Sequence, residues 1–368
     1  MATLGERTTL CYKRKLLMDQ SSDLPLFLDI YHPLWKESNS ELNTHGDRSE
    51  LLVPAVIYFH GGGLTVGNRN SWLPNWLKSR VTALGYAFVS ADYQLLPPAT
   101  GEDIVKDIQD VFSFLVKIDI KNAHCTFKIN PNAMAVAGSS AGGLCAYLAA
   151  MHCVSPKPKA IVSMYGMGGN FLTSHYLQPK TEVFFRGREV LNPADFSEYI
   201  YPFEDGALEP ISDSPLAYHP QTYHIPGYPA NPRMLLARLY LQLGVFLDYY
   251  TGQHDPSLTN TLRQTLNTPE SNIEDFKRQI PERQHPFFPQ FGVDSNWPPT
   301  FLLHGTNDTA VPIAESRHMQ ALLGKAGVPV TLLEFEGKEH SFDYEPEVET
   351  ILGGAFDEVM GFLRRCLR

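Results

Sequence analysis

Basic charge is scarce in this 368-residue chain: 30 Lys and Arg stand against 40 Asp and Glu, for a net charge of −10. An acidic chain without a basic cluster is a poor fit to nucleic acid or an anionic membrane. Cysteine is equally sparse. Cys11, Cys125, Cys145, Cys153 and Cys366 are scattered and show no CxxC spacing, which argues against a disulfide framework and for reduced thiols. No apolar stretch reaches the roughly 18 residues needed to span a bilayer; the nearest, Met234 to Tyr250, is interrupted by Arg238 and Asp248. The first residues lack the apolar run of a secretory signal, so a cytoplasmic location is expected. There is no His-Glu-x-x-His, no Gly-Lys-Ser/Thr loop and no G-x-G-x-x-G, so neither a metal nor a cofactor is expected. The 27 glycines and 28 prolines are about 15% of the chain, short of the roughly 25–30% of low-complexity sequence.

What the chain does have is apolar material, 43% of its residues, arranged as short runs that alternate with helical spacing. Strands are expected at Thr8–Met18, Leu24–Tyr31 and Val53–Phe59, with a polar surface loop at 36–50. Further strands fall at 86–92, 133–139 and 159–165, and helices follow Trp72 and occupy 103–117 and 141–151. The alternation stops, then resumes with a strand at 300–305, a helix at 313–326, a strand at 330–337 and a final helix at 347–367. Strands alternating with helices imply an α/β fold with a parallel sheet covered on both faces. The expected organisation is a core of residues 1–165 and 300–368 with an insertion at 166–299. That insertion holds 20 of the 42 aromatic residues and 16 of the 28 prolines. It reads either as a body with its own small core or as a lid of Phe and Tyr over an apolar substrate; the two are compatible. Its 15 acidic against 9 basic residues suggest a lid that disfavours anionic substrates.

Three segments carry chemistry. Gly138-Ser139-Ser140-Ala141-Gly142 fits G-x-S-x-G where a buried strand meets a helix. A turn this tight needs glycine beside the serine, and it lifts the Ser140 hydroxyl out of the sheet. His60-Gly61-Gly62-Gly63 closes the strand at 53–59, where glycine lets backbone N–H groups approach a developing oxyanion. His60 itself is expected to order the loop. A serine nucleophile needs a base, and the base a carboxylate. Asp308 follows the strand at 300–305 and His340 follows the next strand, so the order Ser, Asp, His is that of an α/β-hydrolase triad. Glu339 and Asp343 are rival acids, but so near His340 in sequence that they are poorly placed to hold its ring. His304 reads as a structural residue at the strand end.

HGGG, then Asp92-Tyr93-Gln94-Leu95-Leu96-Pro97, GSSAG, HGTND and EHSF resemble the hormone-sensitive-lipase-like branch of α/β-hydrolases, most of all its fungal esterase and secondary-metabolite members. The resemblance runs from about Val53 to the C-terminus. It implies a mostly parallel eight-stranded sheet with helices on both faces, no cofactor, and ester hydrolysis through an acyl-enzyme. It assigns Ser140, Asp308 and His340 to the triad and the amides of Gly62, Gly63 and Ala141 to the oxyanion hole. Two residues depart from the family pattern: Gln94 where it has arginine, and Ser139 where it has Asp or Thr. The expected function is a serine carboxylic-ester hydrolase acting on a small to medium, largely apolar ester. An acyltransferase, lactonase or thioesterase with the same triad is the alternative. A non-catalytic small-molecule receptor is disfavoured because all three triad residues are present, and a peptidase because the chain shows no domain that would exclude folded proteins. The expected partner is a small-molecule ester, with no nucleic acid and no membrane span.

Overall fold

The computed structural model describes residues 6–17, 22–34, 51–121, 125–203 and 208–368; the polar stretch expected as a loop at 36–50 lies outside them. Among the described residues nine strands build one sheet. In chain order they are β1 (Arg7–Leu16), β2 (Asp23–Tyr31), β3 (Leu52–Phe59), β4 (Ala87–Ala91), β5 (Ile120–Lys121), β6 (Thr126–Ser139), β7 (Ala160–Met164), β8 (Thr300–Gly305) and β9 (Val330–Phe335). Eight run in the order β1-β2-β4-β3-β6-β7-β8-β9, and the two-residue β5 hangs on β6. The expected eight-stranded sheet is thus present with this short addition. β1 and β2 are antiparallel to their neighbours, and β4, β3, β6, β7, β8 and β9 are mutually parallel.

Strand β3 shows why the sheet is covered on both sides. Its Ala55, Ile57 and Phe59 enter one apolar cluster and its Val56 and Tyr58 enter another, as the two-residue repeat of a strand requires. The first cluster packs α2 (Gly101–Leu115) and α3 (Ala141–His152) on one face. The second packs α1 (Asn75–Ala83) and, from the far end of the chain, α10 (Val348–Cys366). Trp76 of α1 stacks flat on Phe356 of α10, with ring centroids 3.9 Å apart. Helix α2 starts at a capping box in which Thr100 and Asp103 bond each other's backbone. Between β8 and β9 lies α9 (Ala314–Lys325).

The described residues between β7 and β8 include α4 (Ser174–Leu177), α5 (Arg233–Leu243), α6 (Phe246–Thr251), α7 (Leu258–Leu266) and α8 (Ile273–Gln279), with 3-10 turns at Pro193–Tyr199, Glu282–Phe287 and Pro289–Phe291. The apolar run Met234–Tyr250 is two helices, not one. Gly244 turns left-handed at φ 62 between them, and a Cβ there would meet Arg263 and the backbone of Gln178. Aromatic residues supply the packing: Phe171 sits 4.9–6.4 Å from the rings of Tyr176, Phe246, Tyr250 and Phe288. Among the described residues no helix is long and apolar enough to cross a membrane.

Candidate active site

The carboxyl ends of β3, β6, β7 and β8, with the loop after β9, converge on one cavity of about 420 Å³. Ser140 stands between β6 and α3 at φ 54, ψ −119, a backbone conformation that a non-glycine residue adopts only when its surroundings enforce it. Here they do. A Cβ on Gly138 would lie 1.9 Å from the carbonyl oxygen of Gly142, and one on Gly142 would lie 1.9 Å from that of Phe59. The Ser140 amide donates to the Met164 carbonyl at 3.0 Å, and its own carbonyl accepts from Gly143 and Met167. The elbow is therefore pinned between β3 and β7, and Ser140 lines the cavity.

His340 lines the same cavity. Its Nδ1 donates to Asp308 Oδ2 at 2.6 Å. The other oxygen, Oδ1, accepts the amides of Ala310 and Val311 at 2.9 and 2.8 Å. Burial alone would raise the Asp308 pKa, but the adjoining imidazoles of His340 and His304 outweigh it and hold the carboxylate well below its usual range. His304, fully buried, donates from Nε2 to the Val311 carbonyl at 2.8 Å and lies 3.2 Å from Asp308 Oδ2. It shapes the loop that carries the acid.

The rival acids are occupied elsewhere. Glu339 accepts the Thr309 amide and hydroxyl and the His340 amide, so it ties the two loops together rather than meeting the ring. Asp343 is buried and accepts from the Tyr165 hydroxyl and Trp76 Nε1.

Gly62 and Gly63 have φ of 99 and 62. A Cβ on Gly63 would lie 2.2 Å from the Cβ of Ala237 in α5, so this glycine allows α5 to seat directly on the loop. Among the described residues the amides of Gly62 and Gly63 donate to no backbone acceptor. The third residue expected to supply an amide, Ala141, opens α3 at the elbow. His60 does not line the cavity. It is fully buried, stacks on Tyr93 at 4.4 Å and donates from Nδ1 to the Gly61 carbonyl; burial lowers its pKa to about 4.

Both departures from the family pattern have structural partners. Gln94 is buried, donates to Asp107 and accepts from Lys15, linking α2 to β1. Ser139 lies 2.7 Å from the Tyr58 hydroxyl, which itself donates to the Trp72 carbonyl.

Sequence reasoning missed Tyr165, whose ring stands edge-on to His340 at 4.6 Å and whose φ is 39; its place just past the end of β7 was the available signal. It also misjudged the charge of the cavity. Among the described residues the lining holds Arg186, Arg188 and Arg238 and no carboxylate. The expectation that anionic substrates are disfavoured rested on net charge, which counts residues without regard to which surface they face, and the cavity lining gives it no support. Of the twenty aromatics in the segment, Tyr176, Phe185, Tyr218, Tyr228 and Phe246 reach the cavity. Among the described residues no cluster of His, Cys, Asp or Glu is arranged to hold a metal ion.

Residues 56–215 match the family described as the alpha/beta hydrolase fold, and residues 247–368 match the prolyl oligopeptidase family. A non-reducing polyketide synthase of Penicillium brevicompactum is 26% identical over 337 residues, which is 89% of this chain and 14% of the synthase. The chain thus spans about a seventh of the length of that relative. A probable carboxylesterase of Phoma sp. is 30% identical over 148 residues, 39% of this chain and 43% of the esterase. In three dimensions an esterase from Thermogutta terrifontis with butyrate bound covers 99% of this chain and 94% of its own, at 17% identity and a TM-score of 0.54. An esterase from Pyrobaculum calidifontis covers 97% and 85%, at 16% identity and a TM-score of 0.53.

Proposed function

We propose that this chain, which has the α/β-hydrolase fold, is a serine hydrolase that cleaves carboxylic esters through an acyl-enzyme. The observation that carries this reading is the strained Ser140 elbow sharing a cavity with His340, whose far nitrogen is held by Asp308 at 2.6 Å. Ser140 Oγ attacks the ester carbonyl while His340 Nε2 takes its proton. Asp308 keeps the Nδ1 tautomer in place and stabilises the imidazolium. The amides of Gly62, Gly63 and Ala141 receive the oxyanion, aided by the N-terminus of α3. His340 then protonates the departing alcohol, and water, activated by the same imidazole, releases the acid. Residues 166–299 act as a lid over the 1–165 and 300–368 core, and their aromatic side chains shape a pocket for a small to medium, largely apolar ester.

The likeness to polyketide synthases favours a second reading with the same acyl-enzyme, in which the acyl group arrives as a thioester or leaves to another acceptor. A fluorophosphonate probe tests the shared step. It should label the native protein at Ser140 and fail on Ser140→Ala, whose turnover of 4-nitrophenyl butyrate should fall about 10⁶-fold, since triad members act as a unit. Labelling that persists in Ser140→Ala and maps to Ser139 would overturn the assignment. N-acetylcysteamine thioesters set beside oxygen esters of the same acyl group separate the two readings.

A further inference from the structure

Two arginines of α5 are almost fully buried, and their surroundings differ. Arg233 spends its donors on backbone carbonyls: Nε on Thr65 at 3.0 Å, and Nη2 on Leu96 and Pro97 at 3.0 and 2.7 Å. It fastens the helix to the loop after β3. Arg238 is 5% exposed, yet its Nε has no hydrogen-bond acceptor. Among the described residues its one salt-bridge partner is Glu189, 3.5 Å from Nη2, and that side chain is itself exposed. A guanidinium taken from water with so little returned is costly to leave unpaired.

Arg238 lines the cavity that holds Ser140. It follows Ala237, the residue seated on Gly63, so its helix abuts the proposed oxyanion loop. A turn bridged between Phe185 and Arg188 presents Arg186 and Arg188 to the same cavity. That turn is anchored by the Arg186 amide donating to Thr309 Oγ1 at 2.8 Å. Three guanidinium groups line a chamber that, among the described residues, has no lining carboxylate, so it can receive an anion. A planar, bidentate acceptor suits an arginine fork better than a point charge does.

We propose that the cavity takes an ester carrying a free carboxylate, which Arg238 binds while the ester carbonyl sits at Ser140, with Arg186 and Arg188 drawing the anion in. This rests on the serine-hydrolase reading and names its substrate class. Hydrolysis leaves the anchoring carboxylate unchanged: water adds across the acyl–oxygen bond, giving one new acid and the alcohol.

The test compares esters that differ only in charge. Mono-4-nitrophenyl esters of succinate through suberate are set against 4-nitrophenyl esters bearing methyl in place of the carboxylate. A second arm, with the charge on the leaving group, uses 4-carboxyphenyl against 4-carbamoylphenyl hexanoate. In at least one arm the anionic ester should show a tenfold or greater advantage in kcat/KM. Arg238→Met should cut that ratio at least tenfold, and Arg238→Lys should restore part of it. Ratios below tenfold in both arms would overturn the proposal, and this comparison needs no variant to fold. Binding of monomethyl adipate and methyl hexanoate to Ser140→Ala, measured by calorimetry, separates carboxylate recognition from hydrolysis. If no ester is turned over but monomethyl adipate binds at least tenfold more tightly and loses this when Arg238→Met is added, the carboxylate site stands and the hydrolase reading falls. If esters are turned over and neither comparison favours the anion, the reverse holds.

Discussion

Replacing Asp308 by asparagine changes one oxygen to an NH₂ group, and the hydrogen bonds around it dictate the outcome. Oδ1 must go on accepting the amides of Ala310 and Val311, which are fixed in the loop. The amide nitrogen then takes the place of Oδ2, which faces His340 Nδ1 at 2.6 Å and His304 Nε2 at 3.2 Å. A donor now meets donors. The cheapest relief is for His340 to carry its proton on Nε2 and accept at Nδ1, but that tautomer cannot take the proton of Ser140. The charge that stabilised the imidazolium is lost as well. Together these should lower kcat about 10⁴-fold, or about 5.5 kcal/mol of barrier. Stability should change too. A carboxylate whose pKa is depressed on folding contributes stability above its unfolded pKa and loses it as pH falls through the folded value. Asp308→Asn should therefore lower Tm at pH 7, and its gap from the native protein should narrow in strong acid. The assay is steady-state hydrolysis of 4-nitrophenyl butyrate, with circular dichroism to establish folding. A folded Asp308→Asn within tenfold of native activity, beside a Glu339→Gln variant that is inactive, would refute the reasoning.

Gly63→Ala should cost about 10²-fold or more in kcat, because its Cβ would press on Ala237 and displace a proposed oxyanion donor. Gly187→Ala, at a similar φ of 64 but with open space around it, should cost far less, and equal losses would remove the steric explanation. Buried His60 is neutral in the folded protein, its pKa lowered to about 4. The unfolded chain binds the extra proton between about pH 6.5 and 4, so folding loses about 1.4 kcal/mol per pH unit as pH falls through that window. Glu315, buried and pushed up to about 8, acts in the opposite sense. The readout is therefore the difference in slope between native and His60→Phe proteins in urea unfolding, and equal slopes would mean His60 is charged in the fold.

Much of this architecture is local in origin and could be read directly. The alternation of apolar strands with helical segments marks a parallel sheet, and β8 falls at the residues expected, 300–305. The glycines around Ser140 announce an elbow because nothing larger fits beside it. Asp308 and His340 stand just past the ends of successive strands, where a parallel sheet collects its loops. What composition could not convey is direction. Acidic residues outnumber basic ones between β7 and β8, yet among the described residues the charged ones of this segment that line the cavity are arginines. The aromatics there divide between packing on one another and lining the cavity, and sequence carries no mark of which does which. Arg238 shows the difference most clearly. In sequence it is a charge interrupting an apolar run. Only the packing of α5 on Gly63, with Arg233 satisfied by backbone carbonyls and Arg238 left facing the cavity, separates a structural arginine from one with a ligand to find. Periodicity and turn chemistry are properties of neighbours in the chain, and the sequence determined them. Which polar groups remain unpaired depends on contacts among segments far apart in sequence, such as α5 and the loop after β3, and only the tertiary structure decided that.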